Sequence, residues 1–432
     1  MANFTAVEQL MHYIWQHRLW DPAGLTTVDG RRIKVIDPGL HNTDQGPDFF
    51  NAKIEIDGKL WAGNVEIHVR ATDWYRHHHD RDMAYDSVVL HVVGRDDCAV
   101  TRANGDVIPQ CVMPVSPLFA ERFEQLTSRQ QELPCGPQLG GIPSLTVTEW
   151  MEALAFERLH GKVERINQFL EAFGGSWEDA TYVLLSRNLG FGINGEAFER
   201  LARRTPLRIL RRHSDSGTQL EAILFGQAGL LNPIYYPDDA YYQQLCREYA
   251  FLAHKYDFHP MESANWRFFR IRPQNFPHRR IALLARCVEG GFSLLRDIVE
   301  APDADAVRRL FDRQLTGYWQ QHFTFGSATG GMLKALSAAS VDILLINTAA
   351  PLIYAYGEAT DNYAVTERAI ALLEATRPER NSIVRLFEFY GIKADSALRS
   401  QALIQLRRNY CEARKCIFCR FGHRLLAAAA KP

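Results

Sequence analysis

The chain lacks a long apolar run. Its most apolar stretch, residues 341–356, is broken by Asp342 and Asn347 and falls short of a bilayer span. It reads as a buried helix, and no membrane partner is expected. The amino terminus carries Glu8, Gln9, His12 and His17 where a signal peptide needs uninterrupted hydrophobic residues. There is no excess of charge: 49 Lys and Arg against 50 Asp and Glu leave a net charge of -1. Overall charge therefore argues neither for nor against nucleic acid, and only a local basic patch could. No repeat of fixed period stands out, which excludes a solenoid. No GxxxxGK[ST] segment is present, so intrinsic ATP hydrolysis is not expected. The eight cysteines do not form a secreted disulfide framework, since three crowd between positions 411 and 419 at metal-ligand spacing. The expected compartment is the cytoplasm.

What is there is a soluble globular composition, 47% hydrophobic and 23% charged, over 432 residues. That length exceeds one ordinary core. Residues 4–19 read as a helix with Val7, Met11, Ile14 and Trp15 as its apolar stripe. Glu8 and His12 flank the stripe one turn apart, and Pro22 and Gly24 end the helix. A short strand at 32–36 follows, then a hairpin of strands 49–56 and 60–69 about Asp57-Gly58. Residues 73–85 form a turn-rich helical piece. Residues 87–93 form an uninterrupted apolar strand of the kind buried on both faces. A last hairpin about Asn104-Gly105 is expected within 96–117, then a connecting helix at 119–129. The Gly- and Pro-rich stretch 134–143 has the composition of a linker.

Helical patterns dominate from there to about residue 408. The expected class is α+β: a mixed sheet with flanking helices (1–117), a linker (118–145), a large all-helical domain (146–408) and a short Cys/His tail (409–432).

The stretch from Gln45 to Val93 carries the chemistry. Gly46-Pro47-Asp48 breaks the chain and puts a carboxylate at the mouth of the hairpin. On the second strand Val65, Ile67 and Val69 face one way, and Glu66, His68 and Arg70 the other. The hairpin can return Asp48 towards Glu66 and His68, which suits a divalent-metal site on a rigid sheet. The bland alternative is that Asp48 caps a turn and Glu66 lies on a solvated face.

Pro47-Asp48, then Glu66-Ile67-His68, in the order helix, three strands, helix, strand, resembles the PD-(D/E)XK nuclease superfamily over roughly residues 1–95. More closely, the GPDF…GNVEIH…DW…H…Y…VVLHVV pattern resembles an uncharacterised bacterial domain-of-unknown-function family. The superfamily resemblance implies metal-dependent hydrolysis of phosphodiester bonds in DNA or RNA. It implies Asp48, Glu66 and the backbone carbonyl of Ile67 as ligands of Mg²⁺ or Mn²⁺, with Glu8 as an auxiliary helical carboxylate. Such hard oxygen ligands suit those ions, which would polarise the phosphoryl group and activate a bound water. His68 stands where the superfamily has lysine. It is a weaker substitute, a direct ligand, or a sign that catalysis has been lost. Lys53 is one strand away on the wrong parity, and only a bulge would recruit it.

Further histidines crowd this region: His41, His77, His78, His79 and His91. His91, inside the buried strand, reads first as a packing residue. The run 77–79 is either a solvated loop or a softer-metal site, and ligation by several of them would select Mn²⁺, Fe²⁺ or Zn²⁺.

In the tail, Cys411-x4-Cys416-x2-Cys419-x3-His423 matches a Cys₃His zinc site in number and type. An iron–sulfur cluster with a distant fourth cysteine such as Cys135, which some nucleases of the superfamily carry, is the alternative. Either would tie the tail to the helical body.

Arg200, Arg203, Arg204, Arg208, Arg211 and Arg212 form one basic group. Arg267, Arg270, Arg272, Arg279 and Arg280, among Trp266, Phe268, Phe269 and Phe276, form a second. Arginine beside aromatics suits phosphate contact and base stacking, and pairing with local acids is the alternative. The leading expectation is a metal-dependent nuclease with DNA or RNA as partner. Two others stand beside it: a degenerate nuclease fold acting as a binding or assembly module, and a His-rich metallohydrolase acting on a small substrate.

Overall fold

The computed structural model describes residues 4–428 apart from 21–23, 43, 114, 116, 129 and 270. The chain is α+β and divides into two units. One comprises Met1–Thr148 together with Arg407–Pro432, the other Glu149–Leu406.

The first unit is built on a mixed sheet. Helix α1 (Phe4–His17) precedes strands β1 (Leu25–Thr26), β2 (Arg32–Asp37), β3 (Leu40–His41), β4 (Phe49–Ile56) and β5 (Lys59–Arg70). Helix α2 (Asp73–Arg76) and two short 3₁₀ turns cross to β6 (Val88–Arg95), followed by β7 (Gln110–Val112) and α3 (Pro117–Thr127). The strand order is β1-β2-β4-β5-β6-β7, with β3 paired to β4 off this path. The β4–β5 pair is antiparallel, and β5–β6 and β6–β7 are parallel. Asp57 (φ 47°) and Gly58 (φ 79°) both adopt the left-handed conformation that a two-residue hairpin loop requires. Helix α1 stops at His17 because Arg18 turns left-handed at φ 53°; Pro22, the expected breaker, lies outside the described residues.

Alternation along the strands separates two cores. Against one face lie Met11, Ile14 and Trp15 of α1, with Phe49, Ile54, Val65, Ile67, Leu90 and Val92. Against the other lie Ala71, Trp74, Tyr85, Val88, Val93, Val100 and Ile108. A bulge between Phe49 and Ala52, with Asn51 at φ 56°, keeps Phe49, Ala52, Ile54 and Ile56 all buried.

Three expectations change here. Residues 96–117 do not form a ladder hairpin. Asn104-Gly105 turns the chain, with one bridge between Thr101 and Val107, and β7 then runs parallel to β6. The cause is burial: Val100 and Ile108 fold onto Trp74, whose Nε1 donates to the Thr101 carbonyl at 3.0 Å. Residues 118–145 are no free linker, since Phe119 and Leu126 belong to the first core and Gly136–Gly141 is a 3₁₀ turn. The tail belongs to this unit and not to the helical body. Ile417 and Leu426 enter the first core, each contributing roughly 1.5–3 kcal/mol, a sizeable share of a domain's net stability of about 5–15 kcal/mol.

The second unit is helical, beginning with most of the long helix Ser144–Ala172, and carries a small two-stranded ribbon, His322–Thr324 with Ser327–Ala328. The stretch Ala338–Ala359 is long and apolar enough to cross a membrane, but 61% of its most apolar window is buried inside the protein. It has the character of a core helix.

Candidate metal centre

The site assembles around Glu66 and His68 on β5, both buried, at 4% and 2% exposure. Pairing sets Glu66 opposite His91 of β6. Just before β4 begins, the Asp48 amide donates to Glu66 Oε2 at 3.1 Å, and Asp48 Oδ2 accepts from the Ile67 amide at 2.9 Å. A strand residue presents its amide and carbonyl on one edge, so the Ile67 carbonyl lies on the edge that Asp48 borders. From α1, His12 Nε2 comes within 3.2 Å of Asp48 Oδ2. Glu8 lies one turn before it, close enough to His12, Asp48 and His77 to feel their charges.

The crossover after β5 closes the site from above. His78 is left-handed at φ 64°, a turn between His79, which is buried, and His77, which stays exposed while its Nδ1 reaches His68. His68 Nε2 is 3.2 Å from His77 Nδ1 and 3.5 Å from Glu66 Oε1, and His79 Nε2 is 3.3 Å from the same oxygen. The ligand atoms of His68, His77 and His79 all lie within 4.8 Å of one another. Three imidazoles thus converge, and Glu66 Oε1 borders two of them, His68 and His79. His79 is braced by stacking on Tyr85, with ring centroids 3.7 Å apart. His68 is held from behind by a 2.9 Å hydrogen bond between its Nδ1 and His91 Nε2.

Electrostatics follow from burial. It pushes His68 down to about 2, helped by His91, His79 and His77. It takes His91 to about 3 and lowers His77 and His79. These rings are neutral and keep lone pairs. Glu66 is raised well above the ordinary carboxylate range by burial and then by the charge of Asp48, and Glu8 is raised by burial. For His12, burial lowers the value, but the hydrogen bond and charge of Asp48 raise it further, for a net increase. Neutral imidazoles around a buried, repelled carboxylate fit a cation in chemistry and in spacing.

Asp48, Glu66, His68 and Glu8 are therefore neighbours. Lys53 is exposed despite the bulge, and no hydrogen bond of the cluster includes it. Of the residues gathered here the sequence gives His77 and His79 only as an alternative softer-metal run and His91 as a packing residue, and it assigns His12 no role. Helical spacing from Glu8 signals His12. Nothing in the sequence separates a 77–79 turn that meets His68 from a solvated one. His41 sits at the rim, its ring 5.5 Å from that of His12.

The other groups scatter. His423 Nδ1 lies 2.5 Å from the Tyr13 hydroxyl, and its ring lies 4.6 Å from that of His17. Arg203 pairs with Glu199 at 3.0 Å, Arg204 donates to the Pro260 carbonyl at 3.3 Å, and Arg211 pairs with Glu178 at 2.5 Å. Arg279 and Arg280 are buried and cap carbonyls of Trp319, Lys334 and Ala335, so they are structural and not phosphate-facing. Arg208, Arg212 and Arg272 are exposed, and Arg270 lies outside the described residues.

These features define an α+β protein with a buried site of histidines and carboxylates on its mixed sheet. The chain belongs to the family described as Protein of unknown function (DUF2851), which it matches over residues 8–382. No curated protein and no solved structure matches it.

Proposed function

We propose that this protein is a metal-dependent phosphodiesterase acting on DNA or RNA, using Mn²⁺, Fe²⁺ or Zn²⁺ held by Glu66, His68, His77 and His79. The observation that carries this reading is the convergence of His68, His77 and His79, with Glu66 Oε1 beside His68 and His79. An imidazole-rich set favours those ions over Mg²⁺. The order of helix, three antiparallel strands, short helix and parallel strand supports the PD-(D/E)XK likeness, and His68 at the lysine position then serves as a ligand.

An ion held there would polarise a phosphoryl oxygen and lower the pKa of a bound water. Asp48 orients Glu66 through its amide and lies beside the set as a second carboxylate. Glu8, its carboxyl raised by burial and in the neighbourhood of His12, Asp48 and His77, is the candidate general acid. The exposed Arg208, Arg212 and Arg272 would contact phosphates.

The test is cleavage of labelled single- and double-stranded DNA and RNA by metal-free protein given Mg²⁺, Mn²⁺, Fe²⁺ or Zn²⁺. Glu66→Ala, His68→Ala and Asp48→Ala are assayed alongside. Cleavage with a transition ion that all three variants abolish supports the reading, and cleavage unaffected by them sinks it. A second reading, a binding or assembly module without turnover, is favoured by the lack of a lysine in the cluster's hydrogen bonds among the described residues. Binding without cleavage under every ion would establish that reading instead.

A further inference from the structure

Away from the histidine cluster, the first unit gathers four of its cysteines. Cys135 follows α3, and Cys411, Cys416 and Cys419 lie on the returning tail; none of the four is in a disulfide. The two stretches are laced together. Cys416 Sγ donates to the Leu126 carbonyl at 3.4 Å, and Arg407 donates to Glu132 through its carbonyl at 2.5 Å and its carboxylate at 3.3 Å. Arg414 donates to the Gln131 carbonyl at 3.3 Å. Both Cys135 and Cys416 lie at the margin of the first core, and Cys419 is buried.

The local backbone turns sharply between the tail thiols. Cys411 ends the π-helical stretch Leu406–Cys411, and Arg414 at φ 54° reverses the chain. Cys416–Phe418 forms a 3₁₀ turn in which the Cys419 amide donates to the Cys416 carbonyl at 3.2 Å. A Cβ on Gly422 would run into that same Cys416 carbonyl, so the turn is clamped under the last helix, Arg420–Ala427.

The four thiols lie within electrostatic range of one another, more widely spaced than the ligand atoms of the histidine trio. Cys135 feels Cys416 and Cys419, Cys411 feels the other three, and Cys416 feels Cys419. Arg414 stands near Cys135 and Cys416, and Arg407 near Cys411. A divalent ion with four thiolates carries a net charge of minus two, which Arg414 offsets in part, while Arg407 is paired with Glu132 and Glu412. The fourth position expected for His423 is filled differently, because that ring is turned to Tyr13 and His17.

We propose that Cys135, Cys411, Cys416 and Cys419 form a tetrathiolate site for a thiophilic metal centre, a zinc ion or an iron–sulfur cluster, that fastens the returning chain to residues 126–135. Four thiolates close a tetrahedral site with no open position, which is the structural and not the catalytic pattern. The centre is independent of the histidine cluster and of the hydrolytic reading.

Three measurements on the full-length protein test this. Elemental analysis with acid-labile sulfide and visible absorption separates the two forms: zinc without colour, or iron with sulfide and a broad visible band. Titration of reduced, metal-free protein with Co²⁺ reads thiolate ligation directly by its sulfur-to-cobalt charge-transfer band, which imidazole ligands do not give. That band is expected at the intensity of four thiolates in wild type and His423→Gln, and at about three quarters of it in Cys135→Ser. Alkylation mapped by mass spectrometry needs no variant. Metal-loaded protein is expected to protect these four cysteines, and a chelator or acid to release them, while Cys98 reacts in both states. A band that Cys135→Ser leaves at its wild-type intensity overturns the proposal. So does alkylation of the four thiols at the rate of Cys98 in protein loaded with zinc or reconstituted with iron and sulfide.

Discussion

Asp48 and Glu66 fix each other at the start of β4: the Asp48 amide holds Glu66 Oε2 at 3.1 Å, while Asp48 Oδ2 takes the amide next to Glu66, that of Ile67, at 2.9 Å. Two carboxylates that would repel at this range are locked by backbone donors, which leaves Glu66 Oε1 free to meet His68 and His79. Ligand geometry is thus set by main chain and not by flexible side chains.

His91 supports the site through His68. For His68 Nε2 to ligate an ion, its Nδ1 must carry the proton of the shared bond with His91 Nε2. That leaves the proton of His91 on Nδ1, which is buried without a partner, a cost that ion binding has to offset. His91→Ala is expected to weaken metal affinity about 10- to 100-fold, the usual effect of losing such a supporting group. Competition with a calibrated chelator measures it. Unchanged affinity would mean that His68 is not a ligand.

Glu221 gives the helical unit a pH signature. Burial raises its carboxyl to about 7, against the lowering effects of the Tyr241 hydroxyl and Arg286. The folded value exceeds the ordinary 4.5, so between these values the folded state binds more protons than the unfolded. Its stabilising contribution is full below 4.5 and is lost as pH rises through about 7. In thermal unfolding across that window, Glu221→Gln should show a smaller fall in Tm than wild type. Parallel curves would contradict the assignment.

Gly63 sits where β5 meets the entry to β6. A Cβ there would meet the Ser87 carbonyl at 2.6 Å and collide with the Val89 side chain. Gly63→Ala is expected to cost roughly 1–3 kcal/mol, as overpacking does, and to weaken metal binding by displacing β6 and with it His91. Urea unfolding and a metal titration check both halves, and stability within error of wild type would refute the first.

Arg208 and Arg212 are exposed, whereas Arg203, Arg204 and Arg211 are engaged locally. If the first pair contacts phosphates, each alanine variant should weaken nucleic-acid binding and reduce the slope of log K against log salt by about 1. Fluorescence anisotropy at several salt concentrations reads this. Slopes equal to wild type would remove these residues from the interface.

Legibility followed the range of the interactions. Asp57-Gly58, the alternation of Val65 to Val69 and the apolar run of β6 are local signals, and the hairpin and parallel strand formed where they pointed. Cys135 is separated from Cys416 by almost the whole helical unit, so no spacing rule could join them with any force. The approach of His77 and His79 to His68 depends on the left-handed His78 and on Tyr85 as a stacking partner, neither of which periodicity reports. The arginine groups misled for a similar reason. Sequence shows that guanidinium groups are near one another, but not that Arg279 and Arg280 are spent on carbonyls inside the protein.

A chain truncated after Leu406 should keep the helical unit and lose the cooperative unfolding of the other, because Ile417 and Leu426 leave its core. Calorimetry of the truncated and full-length proteins distinguishes this from an undisturbed first transition.

The same arrangement imposes an order on the birth of the molecule. A ribosome delivers the sheet first and the residues that seal it last, with the whole of Glu149–Leu406 emerging in between. The nascent sheet, already covered by α1 and α3, therefore waits for Ile417 and Leu426 while the helical unit is made, and the last part of its core closes only when the tail returns.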